Sequence, residues 1–312
     1  MEDYYSNFII SKYGKIFCFG IFDGHGGYKV SKLCSKYLLK FIIKAGIFKN
    51  MNKNIINKGL KTLFCEFDNK YCNMYFKTGS TALTVFIKNN TVYIANTGDS
   101  RGIIYFNNKI RVHTKDHKPT NSTEFIRIYK SGNYVINNRI NGDLNISRAF
   151  GDFRFKNINE LSDNDQSVIA KPDVFIIDLN CNITNGFIIM GTDGLFDVIS
   201  NEDLCEYVSY FLRITENLTY ICNRLIDYCI LKGSKDNITI TLIRLGTINI
   251  DVQLQKEDND FNIKFENHIR LIMSTAKFAN LSEKDILKYF KLLYKIHIPL
   301  EFKSYIIRNI IN

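Results

Sequence analysis

No CxxC pair occurs in this chain, although it carries eight cysteines (18, 34, 65, 72, 181, 205, 222 and 229). The spacing that a zinc site or a disulfide framework requires is missing, so the cysteines are expected to be buried free thiols. Nor does any apolar run approach the roughly 18 residues that a membrane span needs. The start, Met1-Glu2-Asp3-Tyr4-Tyr5, lacks the basic-then-apolar pattern of a secretory leader, and Glu2 stands where a myristoylation motif needs glycine. A cytoplasmic or nuclear location is the expectation. Lys and Arg are scattered, and no basic run alternates with aromatics. The net charge of +10 therefore reads as a lysine-rich solvated surface, and no nucleic-acid partner is expected.

What is present is a 312-residue chain, 46% hydrophobic and 23% charged, the composition of a globular protein with a sizeable core. Its length suits one large domain, or one domain with a small appendage, and a monomer is expected. Val30, Leu33, Cys34, Tyr37, Leu38 and Phe41 mark one helix face, and Ile55, Ile56, Leu60, Leu63, Phe64 and Phe67 a second. Thr81–Lys88, Thr91–Asn96 and Arg101–Phe106 are β-branched and aromatic runs divided by Asn-Asn and Gly-Asp, which reads as an antiparallel meander. Ile110–His113, Tyr134–Arg139, Val174–Asp178, Gly186–Gly191 and Asn237–Arg244 are further candidate strands.

Two helices are expected between the last two strands. One opens at Ser200-Asn-Glu-Asp203, a capping box with Asp in place of Glu, and the other spans about Glu216–Leu231. Elements in blocks argue for layered α+β packing. The polar segment Phe153–Ala170 is the candidate for a mobile surface loop. From about Thr247 the pattern becomes helical throughout: Phe261–Ala276, a second helix capped by Ser282 and ending near Pro299, and a third around Phe302–Ile310.

Four segments set an acid beside glycine at the end of an apolar strand. They are Phe22-Asp23-Gly24-His25-Gly26-Gly27, Gly98-Asp99-Ser100-Arg101, Gly191-Thr192-Asp193-Gly194-Leu195-Phe196-Asp197, and Gly233-Ser234-Lys235-Asp236-Asn237. Any one of them reads equally as a turn. Four together suggest converging carboxylates, which repel one another and raise each other's pKa unless a cation neutralises them. Oxygen ligands without a neighbouring cysteine or histidine pair suit Mg²⁺ or Mn²⁺ over zinc, and a set of this size can hold two ions.

The chain resembles the metal-dependent Ser/Thr protein phosphatases of the protein phosphatase 2C (PPM) type. Besides these segments, the resemblance rests on Thr78-Gly-Ser-Thr81-Ala82, Asp116-His-Lys-Pro119, Arg139 through Ser147-Arg148 to Gly151-Asp152, and Lys171-Pro-Asp-Val174. It covers about residues 1–245 and implies a four-layer α-β-β-α sandwich of two antiparallel sheets flanked by helices. The expected division is a catalytic domain over 1–246 and a C-terminal helical appendage over 247–312. The resemblance implies that Asp23 bridges two Mg²⁺ or Mn²⁺ ions and that Glu2 and the Gly24 carbonyl bind the second. Asp193 and Asp236 would hold the first, and Asp99 and Asp197 would line a weaker third position. His25 matches the general acid that protonates the departing seryl or threonyl oxygen. Asp3 would stand behind Glu2, and Thr81 and Asn237 would order metal-bound waters.

Phosphoproteins are the implied substrates. His113, His117 and the turn Asp116–Pro119 are expected to be structural. One departure stands out: in the family, a strand and a phosphate-gripping Arg precede the Glu-Asp pair, and here Met1 directly precedes Glu2-Asp3. The first strand is therefore expected to be missing, the sequence to start inside a longer protein, and Glu2 to sit at a frayed end. A weakened, phosphoprotein- or kinase-binding module is the alternative; a nuclease rests on net charge alone.

Overall fold

The computed structural model describes residues 1–11, 14–179, 182–247, 250–251 and 254–256. The three helices expected after Phe261 lie outside the described residues, and so does most of the expected appendage.

In chain order the elements are β1 (Tyr4–Ile10), β2 (Ile16–Phe22), β3 (Gly24–His25), α1 (Lys29–Lys44), α2 (Lys53–Phe67), β4 (Gly79–Ser80), β5 (Ala82–Lys88), β6 (Thr91–Thr97), β7 (Arg101–Phe106) and β8 (Lys109–His113). They continue with α3 (Ser122–Lys130), β9 (Val135–Ile136), β10 (Arg139–Ile140), β11 (Phe150–Gly151), β12 (Asp173–Asp178), β13 (Gly186–Gly191), α4 (Asp193–Phe196), α5 (Asn201–Ile214), α6 (Leu218–Leu231) and β14 (Ile240–Leu245). One sheet has the order β1-β2-β5-β6-β12 and a second the order β14-β13-β7-β8. Every pairing within them is antiparallel.

Side chains alternate across a strand, so each sheet offers two faces to be buried. Ile16, Cys18, Phe86 and Tyr93 on one face of the first sheet pack on Val30, Cys34, Leu38 and Ile42 of α1 and Ile56 and Leu60 of α2. Ile21, Val85 and Ile94 on its other face meet Ile104, Ile188 and Met190 of the second sheet. The outer face of that sheet, through Ile103, Phe187 and Ile189, is covered by Leu204, Val208 and Phe211 of α5 and Ile221 and Leu225 of α6. Helices, sheet, sheet, helices: this is the expected four-layer sandwich. Each fully buried aliphatic or aromatic side chain contributes about 1.5–3 kcal/mol, so three such interfaces decide the architecture.

Helix starts follow local chemistry. Ser200 Oγ accepts from Asp203 N at 3.1 Å, half of the expected capping box. Asn52 and Asn217 cap α2 and α6 in the same way.

Three expectations are corrected. The meander does not continue into β7: β5 and β6 pair, but after the Gly98 turn (φ 106°) the chain crosses to the second sheet. Burying both faces of a sandwich requires such a crossing, and no single-strand pattern announces it. The single strand over Tyr134–Arg139 is instead a hairpin of β9 and β10, because Asn137 and Asn138 adopt positive φ (50° and 62°) and reverse the chain. The segment 153–170 is not a surface loop throughout. Phe155 and Val168 pack with Ile128, Ile140, Leu144 and Ile146 in a small core of their own, and Gln166 and Ser167 are buried as well.

The seven cysteines among the described residues are free and buried or half-buried, as expected. Among the described residues no helix is long and apolar enough to cross a membrane.

A buried ion network ties the small core to the first sheet. Glu124 of α3, 2% exposed, accepts from Arg127 Nη1 at 2.7 Å, Arg148 Nη2 at 2.7 Å and Ser147 Oγ at 2.8 Å. Arg148 also donates to Asp173 Oδ1 at 2.9 Å, the first residue of β12. Burial pulls the Glu124 carboxyl upward, but the Arg148 hydrogen bond and the two guanidinium charges outweigh it and hold its pKa at about 2.

Candidate active site

Strand register brings the acids to one end of the sandwich. In the second sheet Gly191 pairs with both Arg101 and Ile240. Asp193 just after β13 therefore lies near Asp99 before β7 and Asp236 before β14. In the first sheet Tyr4 pairs with Phe22, which sets Asp3 beside Asp23. The two sheets thus present their acid-bearing ends together.

Asp23 is held at both backbone groups by Thr81: its N–H donates to Thr81 Oγ1 at 3.0 Å, and its carbonyl accepts from Thr81 N at 2.8 Å. Thr81 Oγ1 also bonds Ser100 Oγ at 2.7 Å, which joins the Asp23 turn to the Asp99 turn. Asp3 is buried, and its Oδ2 accepts from Thr239 Oγ1 at 2.7 Å. Glu2 is not frayed, contrary to the expectation. Its N–H donates to Asn237 Oδ1 at 3.1 Å, and its carbonyl accepts from Ser31 Oγ of α1 at 2.5 Å. At Gly24 an added Cβ would lie 2.5 Å from Ser31 Oγ and 2.7 Å from the Glu2 carbonyl, so only glycine fits between α1 and the Glu2 segment. Thr81 and Asn237, expected to order water, thus have defined bonds within the protein.

Electrostatics mark the same place. Burial, then repulsion from Asp193, Asp3, Asp99 and Asp236, pushes the Asp23 pKa up to about 10. Burial, then Asp99, Asp197 and Asp236, lifts Asp193 to about 7. Asp3 and Asp197 are raised too, with burial first among the causes. Asp193 Oδ1 is buried without a hydrogen-bond partner. Asp99, 3% exposed, is paired with the Lys118 ammonium. Asp197 and Asp236 lie at the exposed rim.

An unpartnered buried oxygen among mutually repelling carboxylates suits a bound cation in addition to the Lys118 ammonium that Asp99 already pairs with. Among the described residues no three His, Cys, Asp or Glu side chains stand together as ligands of one ion. Mg²⁺ is held by one or two carboxylates and keeps several waters, so the spread of these acids fits such an ion better than zinc, which wants a closed set of four.

His25 on β3 is 28% exposed at the edge of the cluster, and its Nε2 lies 2.5 Å from Asp152 Oδ2. Burial lowers its pKa, but the Asp152 hydrogen bond and charge outweigh this, and the net shift is upward. A Cβ on Gly79 would lie 2.1 Å from Asp152 Oδ2 and 2.5 Å from His25 Nε2, so the β3–β4–β11 ribbon needs glycine there for the pair to close.

Asp152 and Lys118 join the site although the sequence assigns neither a role. Asp152 carries the signal used for the other acids, a Gly-Asp after apolar residues. Lys118 carries none; the turn Asp116–Pro119, expected to be structural, also brings the Lys118 ammonium to Asp99. His117 does have a structural role: it is 3% exposed, and its Nδ1 accepts from Gly98 N at 3.1 Å.

Comparison with known proteins agrees with this geometry. Human Protein phosphatase 1A is 37% identical over 235 residues, covering 72% of this chain and 61% of that protein. Mouse Protein phosphatase 1A is 37% identical over 266 residues, covering 82% and 69%. Human Protein phosphatase 1B is 34% identical over 274 residues, covering 83% of this chain and 57% of its own length. The chain thus spans about three fifths of the human relatives, between 57% and 61%. Among solved structures, a phosphatase from a pathogenic strain of Toxoplasma gondii superposes with a TM-score of 0.67 at 24% identity, covering 78% of this chain and 88% of that one. A C. elegans sex determining protein gives 0.63 at 23% identity, covering 78% and 60%. At that identity both speak for the fold alone. Residues 3–238 match the Protein phosphatase 2C family, and with 37% identity to mouse Protein phosphatase 1A over 266 residues, the chain belongs to that family.

Proposed function

We propose that the chain hydrolyses phosphoserine and phosphothreonine in proteins, using two Mg²⁺ or Mn²⁺ ions held among its clustered carboxylates. The observation that carries this reading is the buried, mutually repelling acid set with an unpartnered Asp193 oxygen. Asp23, Glu2 and the Gly24 carbonyl would serve one ion, and Asp23, Asp193 and Asp236 the other, some of them through the waters that such an ion keeps. When bound, such ions neutralise the acids and lower the pKa of water, making it a nucleophile towards phosphorus. Asp99 already carries the Lys118 ammonium, so an ion shared by Asp99 and Asp197 would compete with a tethered cation, which supports a weaker third position.

The chain's own groups do the rest. Thr81 and Asn237 fix the backbone of Asp23 and Glu2, so the carboxylates are preorganised. Asp152 engages His25 Nε2 and orients the ring. The Asp152 charge favours the imidazolium form, in which Nδ1 also carries a proton; with no partner of its own among the described bonds, Nδ1 would give that proton to the departing seryl or threonyl oxygen.

Release of phosphate from a phosphothreonine peptide should be stimulated by Mn²⁺ and abolished by EDTA. Metal-independent turnover, or none, would sink the reading. Gly79→Ala should force His25 and Asp152 apart and reduce kcat by about a hundredfold, the usual worth of a positioned general acid. Its circular dichroism should match wild type, and an unchanged kcat would show that the pair plays no part.

A further inference from the structure

A cavity of about 670 Å³ opens beside the acid cluster, between β7, the β8–α3 connection and the start of α5. Lys118 belongs to both places: it lines the cavity, and its ammonium pairs with Asp99. Of its lining cations, Lys118 is matched by Asp99 and Arg101 by Asp116, which leaves Lys115 in excess among the described residues. Asp116 is the one acid among its lining residues, and it is already neutralised by Arg101, whose Nε and Nη2 reach its two oxygens at 2.9 and 2.8 Å. Arg101 is held further by Asn201 Oδ1 at 2.8 Å and lies over the Phe196 ring, so this wall is rigid. Lys115 is exposed at the cavity, and no carboxylate pairs with it among the described residues. His113 adds a ring whose Nδ1 faces the Thr114 carbonyl at 3.2 Å, which leaves its other nitrogen free among the described bonds.

Two helices begin at the same cavity. Asn121, Ser122 and Thr123 at the start of α3 and Asn201 at the start of α5 line it. The Asn121 side chain does not cap α3; its Nδ2 donates to the Asp116 carbonyl at 2.7 Å, so the first N–H groups of the helix have no side-chain acceptor. These N–H groups add to the positive lining that the side chains already establish.

We propose that this cavity takes an acidic group of the substrate protein, phosphate or carboxylate, a few residues from the phosphoresidue being hydrolysed. The proposal rests on the phosphatase reading above, because Lys118 places the cavity next to the reacting position. An anion here meets the Lys115 ammonium and the His113 ring, which have no acid of their own among the described residues. Substrates with an acidic neighbour are thereby favoured over those without one.

The test uses three phosphothreonine peptides that differ at the neighbouring positions: alanine, glutamate or phosphoserine. Fluorescence anisotropy in EDTA, where nothing is hydrolysed, should show the glutamate or the phosphoserine peptide binding about tenfold tighter than the alanine peptide, the worth of one charge-assisted hydrogen bond. Lys115→Glu should erase that difference, and the arm that shows it tells a carboxylate from a second phosphate. With Mn²⁺, turnover of p-nitrophenyl phosphate, which has no neighbouring residues, should be the same in both proteins. Equal affinity for all three peptides overturns the proposal, as does a Lys115→Glu variant that slows p-nitrophenyl phosphate too. If the wild-type chain fails to turn over p-nitrophenyl phosphate, the phosphatase reading falls, and the anisotropy still decides the cavity.

Discussion

Asp193→Asn is expected to lower Mn²⁺-dependent phosphate release by at least about a thousandfold, roughly 4 kcal/mol of transition-state stabilisation. Asp193 sits at the meeting point of β13, β7 and β14, with one oxygen buried and unpartnered and three other acids acting on it. On the proposed reading, losing its charge removes a metal ligand whose place is set by backbone register. The same substitution has the opposite sign for stability without metal. Removing one of several repelling carboxylates should raise Tm in EDTA, whereas added Mn²⁺ should stabilise wild type and stabilise the variant less. Differential scanning fluorimetry with and without Mn²⁺ separates the two effects. A variant that keeps wild-type turnover would mean that the acids do not gather a catalytic metal.

Glu124→Ala is expected to destabilise the protein by about 3–5 kcal/mol, because it leaves the buried guanidinium groups of Arg127 and Arg148 without their shared counter-charge. The loss should appear in urea unfolding at pH 7 as a lower midpoint with little change in slope. The pH dependence has a definite sign. The folded-state pKa of Glu124 is depressed from its ordinary 4.5 to about 2, so its contribution is fully present above 4.5 and is lost as pH falls towards 2. The stability gap between wild type and Glu124→Gln should therefore close over that window. A gap that stays constant from pH 7 down to 2 would show that the Glu124 charge is not what holds α3 to β12.

Local signals in the sequence were enough for most elements. The three- and four-residue spacing in Val30–Phe41 and Ile55–Phe67 predicts α1 and α2, and the β-branched runs predict β5, β6 and β13. Strand β1 has a weak sequence signal because Tyr4–Ile10 only half buries alternate residues at the sheet edge. α3 shows no apolar stripe because its nine residues bury only Glu124 and Ile128, and a buried acid does not look like a core position. Asn137-Asn138 carries the same turn signal as the Asn-Asn between β5 and β6, but strands of two residues each are too short to read as a hairpin.

The residues that could carry chemistry are legible along the chain: acids beside glycine at the ends of apolar strands, and a histidine two residues after one of them. Only the tertiary structure decided how those residues meet. Pairing of Gly191 with both Arg101 and Ile240, and of Tyr4 with Phe22, gathers acids far apart in the chain at one end of two sheets. The small core around Ile128 and Phe155 likewise anchors the segment that carries Asp152 to His25. Long-range pairing of this kind is set by the burial of whole sheet faces, which no local window of sequence contains.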